Sequence, residues 1–320
     1  MLHIKVRNVQ QALSEGFWKM RLINDRQQSR NGEVLVHPGP VMTEYEYPME
    51  RVLFEPRRDA NPVFHLMESI WMLAGSNDVN WLLPFNSQFG KYAEEDGRVW
   101  GAYGHRWRSH FGFDQIKLVI HELTEHHESR RAVMAMWSPE LDLGQDKRDL
   151  PCNTHIYFDL IGGRLNMTVC CRSNDMLWGA YGANAVHMSM LQELIAHALF
   201  REMGVYRQFS NNFHLYTDNK MAQDMLATPP RYKIGEDPYD SKVCWVPLIS
   251  GGEVWSDFVY DCEAIVYGDI IFRTAFFHTV VRPLRELYLA RKVGQVISVP
   301  DELKQTDWGL AFHEWTERRK

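Results

Sequence analysis

"DLPCNTHIYFDLIGGRLNMTVCCRSND", residues 149–175, holds three of the chain's five cysteines and ends in a polar cluster. Within it, "HIYFDL" and "RLNMTVCCR" are short runs of strand-forming residues joined by Ile161-Gly162-Gly163, which predicts a β-hairpin. Cys170 and Cys171 are neighbours in the second strand, so one points inward and the other outward, and packing accounts for both. Cys152 differs: it follows Pro151 at the entrance of the first strand, where a turn holds it at an edge rather than in a core layer. A lone cysteine is most often inert packing. The surroundings of Cys152 point instead to chemistry.

Arg172, Ser173, Asn174 and Asp175 follow the second strand, and Arg130-Arg131 precede a neighbouring predicted strand, "RRAVMAMWSP". A guanidinium beside a thiol favours the thiolate, which is the nucleophilic form. Arginine also grips phosphate through paired hydrogen bonds. Taken singly, each arginine reads as a solvated surface residue. Several of them converging with a serine on one cysteine describe an anionic substrate held over a thiolate.

Around this segment the pattern is α+β. Residues 1–60 alternate β-like runs such as "EVLVHPGPVMTEYEYP" with turn residues and read as an opening strand region. "NPVFHLMESIWMLAGSND" follows with Val63, Leu66, Met67, Ile70, Leu73 and Ala74 at helical spacing, Pro62 at the start and Gly75 at the stop. Burial on much of that helix makes Glu68 conspicuous, because an unpartnered buried carboxylate is costly. "FDQIKLVIHELTEHHES" reads as an amphipathic helix and "NAVHMSMLQELIAHALFREMG" as a long apolar one ending at Gly204. "YRQFSNNFHLYTDN" reads as a further strand, residues 228–260 as an irregular excursion, and "RTAFFHTVVRPLRELYLARK" as a last helix before a charged tail. Long buried helices against a mixed, mostly antiparallel sheet in one domain spanning residues 1–320 are expected.

The totals exclude several classes. A formal net charge of −6 gives no global basic field for a nucleic acid polymer, whereas an anionic small molecule needs only a few local arginines. Five cysteines without C-x-x-C or zinc-ligand spacing point to a reduced protein with no metal site. The N-terminus lacks a signal-peptide core and no apolar run reaches membrane-span length, so a cytoplasmic location and no membrane partner are expected. His121, His126 and His127 do not form H-E-x-x-H, and "GAYGANA" is not a dinucleotide loop.

Six stretches, in order, carry a resemblance to the thymidylate synthase superfamily, which includes the pyrimidine nucleotide hydroxymethylases. "MESIWMLAGSND" is similar to its E-L-L-W-F-L-x-G-x-T-N helix, "WGAYGHRWR" to G-P-V-Y-G-x-Q-W-R and "SRRAVMAMWSP" to D-R-R-I-I-M-x-A-W-N-P. "LPCN" resembles the P-P-C-H nucleophile site, "RSND" resembles R-S-x-D, and "FHLYTDN" resembles T-H-L-Y-x-N-H. The spacing of Cys152 and Arg172 is also the family's.

The resemblance implies roles. Cys152 would add to C6 of a pyrimidine, with Glu68 and Tyr103 serving the proton network over the base. Arg172, Ser173 and Arg30 (in the looser match "SRNGEV") would bind the 5′-phosphate, helped by Arg130 and Arg131 across a sheet-to-sheet homodimer. His214 and Tyr216 would hold the deoxyribose 3′-hydroxyl. Asp175 would lie by the pterin of the co-substrate 5,10-methylenetetrahydrofolate, and Trp71, Trp81 or Phe89 could flank its ring. Once C5 has attacked the folate's methylene, hydride would give a methyl group and water a hydroxymethyl group.

Three departures shape the expected activity. Asn153, grouped with the catalytic residues, stands beside the nucleophile where synthases usually have histidine. The loop after Asp175 reads "MLWGAYGANAV", so either Asn184 reads the base or Ala183 occupies its place; Asn184 favours dUMP, since cytosine-specific members tend to carry an acid there. Synthases close over the cofactor with a short apolar tail, whereas this chain ends "LAFHEWTERRK" and loses similarity after about residue 225. An unsealed site admits water. The expected activity is dUMP hydroxymethylation, with dTMP synthesis, dCMP hydroxymethylation and a catalytically inactive nucleotide-binding subunit as alternatives.

Overall fold

The computed structural model describes residues 1–320. In chain order its strands are β1 (Leu2–Val6), β2 (Arg26–Ser29), β3 (Gly32–Val36), β4 (Val41–Tyr45), β5 (Val133–Ala135), β6 (Asn153–Ile161), β7 (Arg164–Cys171), β8 (Asn174–Asp175), β9 (Glu202–Ser210) and β10 (Phe213–Tyr216). The main sheet runs β1-β4-β9-β7-β6-β5, with β1–β4 and β7–β9 parallel and the other pairings antiparallel. A smaller sheet, β2-β3-β10-β8, is antiparallel except for β8–β10. The architecture is the expected mixed α+β arrangement.

The hairpin forms where the sequence placed it. Residues of β6 and β7 pair from Asn153 with Cys171 to Ile161 with Arg164. Gly162 and Gly163 make the two-residue turn, both with positive φ (59° and 79°), as a tight hairpin requires. A register shift between Asn153 and His155 loosens the end of β6 next to Cys152.

The Pro62–Leu73 helix starts where the Asn61 side chain accepts a hydrogen bond from Phe64 N–H at 3.1 Å. It ends at Gly75, whose φ of 75° suits glycine. Helices Asn184–Ala198, Trp255–Tyr267 and Asp307–Glu317 pack around it, which explains its burial on nearly every side, Glu68 included. The single buried apolar cluster extends from Ile4 to Trp315. No helix is long and apolar enough to cross a membrane.

Five local expectations need correction. The opening region contains a helix, Val9–Met20, capped by Asn8 and burying Val9, Ala12, Leu13, Phe17 and Met20. "EVLVHPGPVMTEYEYP" is two strands in different sheets, because Pro38 and Pro40 cannot donate to a continuous ladder. The Asn184 helix stops at Ala198; Gly204 lies inside β9, where a Cβ would collide with the Asn166 amide oxygen. "YRQFSNNFHLYTDN" likewise spans β9 and β10. The charged tail is mostly a packed helix, with Trp308, Phe312 and Trp315 buried while Glu317, Arg318 and Lys320 are exposed.

One fully buried ion pair braces the segments that flank the site. Arg106 donates to both carboxylate oxygens of Asp142 at 2.7 and 2.8 Å and to the Met136 carbonyl at 2.6 Å. Asp142 also accepts from Trp100 Nε1 at 2.9 Å and Ser138 N–H at 2.8 Å. The pair thus ties the Tyr103–Arg108 helix to the chain leaving β5. Removing one member leaves the other charge buried alone. Asp142→Ala is expected to destabilise the fold by about 3–5 kcal/mol, read as a lower urea midpoint with an unchanged slope.

Candidate active site

Cys152 sits half-buried immediately before β6, on the loop Asp149-Leu150-Pro151-Cys152. Arg172, one residue past β7, reaches back across the hairpin's open end. Its Nε donates to the Pro151 carbonyl at 2.9 Å and its Nη2 to the Leu150 carbonyl at 3.2 Å. The same Nη2 lies 3.9 Å from Cys152 Sγ, and the guanidinium stacks over Trp137, 5.3 Å from the ring centroid. From the other side, the Tyr103 hydroxyl accepts from Cys152 N–H at 3.1 Å and Asn153 N–H at 3.2 Å. Tyr103 is brought there by Gly104, which abuts the Met72 carbonyl so closely that a Cβ would overlap it. With its oxygen accepting twice, the Tyr103 O–H proton is free to point away from the main chain.

Charge and burial compete at the thiol. Burial raises the Cys152 pKa, Arg172 and Arg30 pull it down, and Asp149 pushes it up; the net direction is upward. The expected lowering by arginine is therefore present but outweighed by desolvation and by a neighbouring carboxylate. Arg30 belongs to this group: it crosses from the β2–β3 turn to donate to the Lys147 and Arg148 carbonyls at 3.3 and 3.2 Å. Ser173 is adjacent and partly exposed.

Behind Cys152 lies a row of buried amides. Asn153 Nδ2 donates to Asn184 Oδ1 at 3.3 Å, Asn184 Nδ2 to Asn174 Oδ1 at 3.1 Å, and Asn174 Nδ2 to Ser210 Oγ at 2.9 Å. Asn184 rather than Ala183 therefore joins the residue beside Cys152. Asn153 also accepts from the Cys171 thiol at 2.7 Å, so Cys171 is packing, as expected. Glu68 faces the same helix from the opposite side. Its Oε2 lies 3.2 Å from His187 Nε2, yet the two are not aligned for a hydrogen bond and neither atom has another partner. Such buried, unsatisfied atoms fit a bridging water or a ligand. Burial holds nearby His65 well below the ordinary histidine pKa, with Arg58 and His187 adding to the effect.

The smaller sheet supplies the remaining groups. Its β8–β10 register puts Asp175 beside His214. His214 Nδ1 donates to Asn212 Oδ1 at 2.8 Å, which leaves Nε2 as an acceptor, and burial lowers the ring's pKa and keeps it neutral. The Tyr216 ring meets His214 edge-on at 5.5 Å. Asp175 Oδ1 accepts from Trp178 N–H at 2.5 Å, while Oδ2 is buried without a partner, and burial lifts the carboxyl to about 6. Arg58, itself buried, stacks on Trp178 at 4.2 Å.

Not every expected residue gathers here. Trp71 is core: it is 2% exposed and its indole N–H is bonded to the Asp78 carbonyl at 2.8 Å. Phe89 is partly exposed and packs on Phe64, Trp71 and Tyr92. Trp81 donates to the Ile265 carbonyl at 3.2 Å and packs on Phe85. Arg130 and Arg131 are held apart from Cys152 of their own chain. Ala132 accepts from Phe158 N–H, placing them near the far end of β6, about 20 Å along the strand from the thiol. Arg131 there pairs with Glu122 at 2.9 Å. His187 and Arg58 are additions that sequence reasoning missed; of the two, only His187, three residues after Asn184 and so on the same helix face, left a legible signal, while Asn174 stood in the RSND cluster without an assigned role.

A profile described as thymidylate synthase matches residues 52–234, more than half of the chain, including Cys152, Tyr103, Arg172, Asn184 and His214 but not Arg30. The chain belongs to the thymidylate synthase family. Among its relatives, a protein of Pseudomonas phage M6 named deoxyuridylate hydroxymethyltransferase is 43% identical over 335 aligned positions, covering 99% of this chain and 94% of that protein. A protein of the same name from Bacillus phage SP01 is 34% identical over 61% of this chain and 57% of its own. A third, from Delftia phage PhiW-14, is 31% identical over 53% and 50%. Residues beyond 234 lie outside the family match but inside the alignment with the M6 protein.

Within this member of the thymidylate synthase family, the Tyr103 hydroxyl is the only acceptor for two successive N–H groups of the loop around Cys152. Tyr103→Phe is expected to cost about 1–3 kcal/mol of stability through unsatisfied donors. It should also slow iodoacetamide alkylation of Cys152, since the loop loses its anchor; urea unfolding and timed mass spectrometry measure the two effects.

Proposed function

We propose that the chain is a deoxyuridylate hydroxymethyltransferase, converting dUMP, 5,10-methylenetetrahydrofolate and water to 5-hydroxymethyl-dUMP and tetrahydrofolate. The observation that carries this reading is the near-full-length similarity to the M6 phage protein of that name, joined to a site whose nucleophile, arginines and amides fit the chemistry. Cys152 Sγ adds to C6 of the pyrimidine, and C5, made electron-rich, attacks the folate's methylene. Loss of the C5 proton and of tetrahydrofolate leaves an exocyclic methylene. Water adds there, and the C5=C6 bond re-forms as the thiolate departs.

The arrangement of side chains supports each role. Arg172, Arg30 and Ser173 offer the nucleotide phosphate cations and a hydroxyl within the neighbourhood of the thiol. Asn184 presents an amide, which offers both a donor and an acceptor to the matching edge of uracil. Glu68, with an oxygen free of hydrogen bonds, moves protons through water over the base. His214 accepts from the 3′-hydroxyl through Nε2, and Tyr216 completes that contact. Asp175 serves the folate.

The same reading includes a homodimer stacked sheet on sheet. On the main sheet's outer face, Val133 and Tyr157 are 38% and 44% exposed, and Cys170 and Phe209 are only partly covered. A second subunit on this face would bring Arg130 and Arg131 to the phosphate that their own chain cannot reach. All five cysteines are free thiols, which, with the phage relatives, supports action in the cytoplasm of an infected host cell.

Incubation with equimolar dUMP and dCMP plus methylenetetrahydrofolate is expected to yield 5-hydroxymethyl-dUMP by mass spectrometry, with tetrahydrofolate released. A methylated product with dihydrofolate would mean thymidylate synthesis instead. Cys152→Ala is expected to abolish tritium release from C5-labelled dUMP. Asn184→Asp replaces the donor that Asn174 Oδ1 accepts with a second acceptor. It is expected to lower dUMP kcat/KM by at least about tenfold, corresponding to about 1.4 kcal/mol, and to improve the ratio for dCMP.

A further inference from the structure

One carboxylate of the site has no part in the scheme above. Asp149 stands three residues before Cys152, on the loop that Arg172 clamps. Its side chain folds toward Gly101, where a Cβ would collide with Asp149 Oδ2 and lie 3.1 Å from Pro151 N. Glycine at the head of "WGAYG" is thus what gives the carboxylate its room. Arg106, Arg172, Arg30 and the Gly101 N–H face Asp149, as do Cys152 and Tyr103. Despite those cations, burial dominates and raises the carboxyl to about 6.

We propose that Asp149 is the general base that activates water for attack on the exocyclic methylene, and so directs the intermediate to the hydroxymethyl product. The proposal rests on the hydroxymethyltransferase reading. In the step, the water oxygen bonds to the methylene carbon while its proton passes to the Asp149 carboxylate. The electron pair of the exocyclic double bond moves into the ring as an enolate at O4. Collapse of the enolate re-forms C5=C6 and breaks the C6–S bond, returning Cys152 as thiolate.

The order of charges favours this sequence. In the free enzyme a carboxylate at 149 opposes a thiolate at 152, as the upward push on the thiol records. Once sulfur is bonded to carbon it is neutral, so an ionised Asp149 no longer faces a thiolate when the base is needed. After taking the water proton Asp149 is neutral, which eases departure of Cys152 as an anion. A carboxyl near 6 is also a stronger base at neutral pH than an ordinary aspartate.

A single-turnover experiment with C5-tritiated dUMP and methylenetetrahydrofolate separates the two halves. Tritium release reports condensation, and 5-hydroxymethyl-dUMP reports water addition. Asp149→Asn and Asp149→Leu are expected to keep a tritium burst of one per site within about threefold of the native rate, while product formation slows about 100-fold. In the native enzyme the product step should fall tenfold per pH unit below about 6, as Asp149 takes up its proton, and this limb should be missing in Asp149→Asn. The native pH limb tests the proposal even if the variants fold poorly. Native-rate product formation in Asp149→Asn, or equal slowing of tritium release and product, would overturn it. A methylated product from the native enzyme would instead defeat the hydroxymethyltransferase reading itself, and this inference with it.

Discussion

The site depends on a guanidinium that holds the main chain. Arg172 donates to the carbonyls of Leu150 and Pro151, the two residues immediately before the nucleophile. Charge-assisted bonds of this kind are among the stronger contacts a side chain offers. Proline at 151 cannot donate, so its carbonyl is left for the arginine, and the chain can turn into β6 with Cys152 at the edge. The hairpin makes this possible: pairing Asn153 with Cys171 brings residue 172 back to the loop before residue 153. Arg172 remains exposed on its other side, where an anionic substrate can meet it.

Burial then sets the chemistry of five titrating groups around the site. It raises the thiol of Cys152 and the carboxyls of Asp149 and Asp175, and lowers His65 and His214. Each group is moved toward its neutral form, which is what a low-dielectric pocket dictates. The arginines oppose this for the acids without overturning it. Such a site holds its charge loosely, so proton positions can change as bonds to the substrate form and break. The buried amides of Asn153, Asn184 and Asn174 differ in kind: they carry no charge, and their mutual hydrogen bonds fix which way each donor points.

The hairpin, the Pro62–Leu73 helix and the edge position of Cys152 were legible because local chemistry decides them: paired glycines, a proline start, a glycine stop, a cysteine after proline. The Val9–Met20 helix was missed because strands flank it on both sides, although Val9, Ala12, Leu13, Phe17 and Met20 have helical spacing. The helix ending at Ala198 was extended to Gly204 because glycine usually marks a helix end; here it marks close approach of β9 to Asn166. The final helix hid behind its charges, although Trp308, Phe312 and Trp315 have helical spacing. At the site, Cys152, Tyr103, Arg172 and Asn184 came from motif and position. Trp71 proved to be core, since aromatic identity does not say which side of a helix is covered. Arg58 gathers only through tertiary contacts, which no local pattern encodes.

The account reduces to a covalent bond between Cys152 and C6 of a uracil nucleotide, formed before anything happens at C5. Fluorine at C5 cannot leave as the proton does, so 5-fluoro-dUMP with methylenetetrahydrofolate should stop the reaction with all three partners joined. Mass spectrometry of the intact chain should then show a gain equal to nucleotide plus folate, located on the peptide containing Cys152 and absent when either small molecule is omitted. An unmodified chain, or a gain carried by Cys170, Cys171, Cys244 or Cys262, would contradict the account.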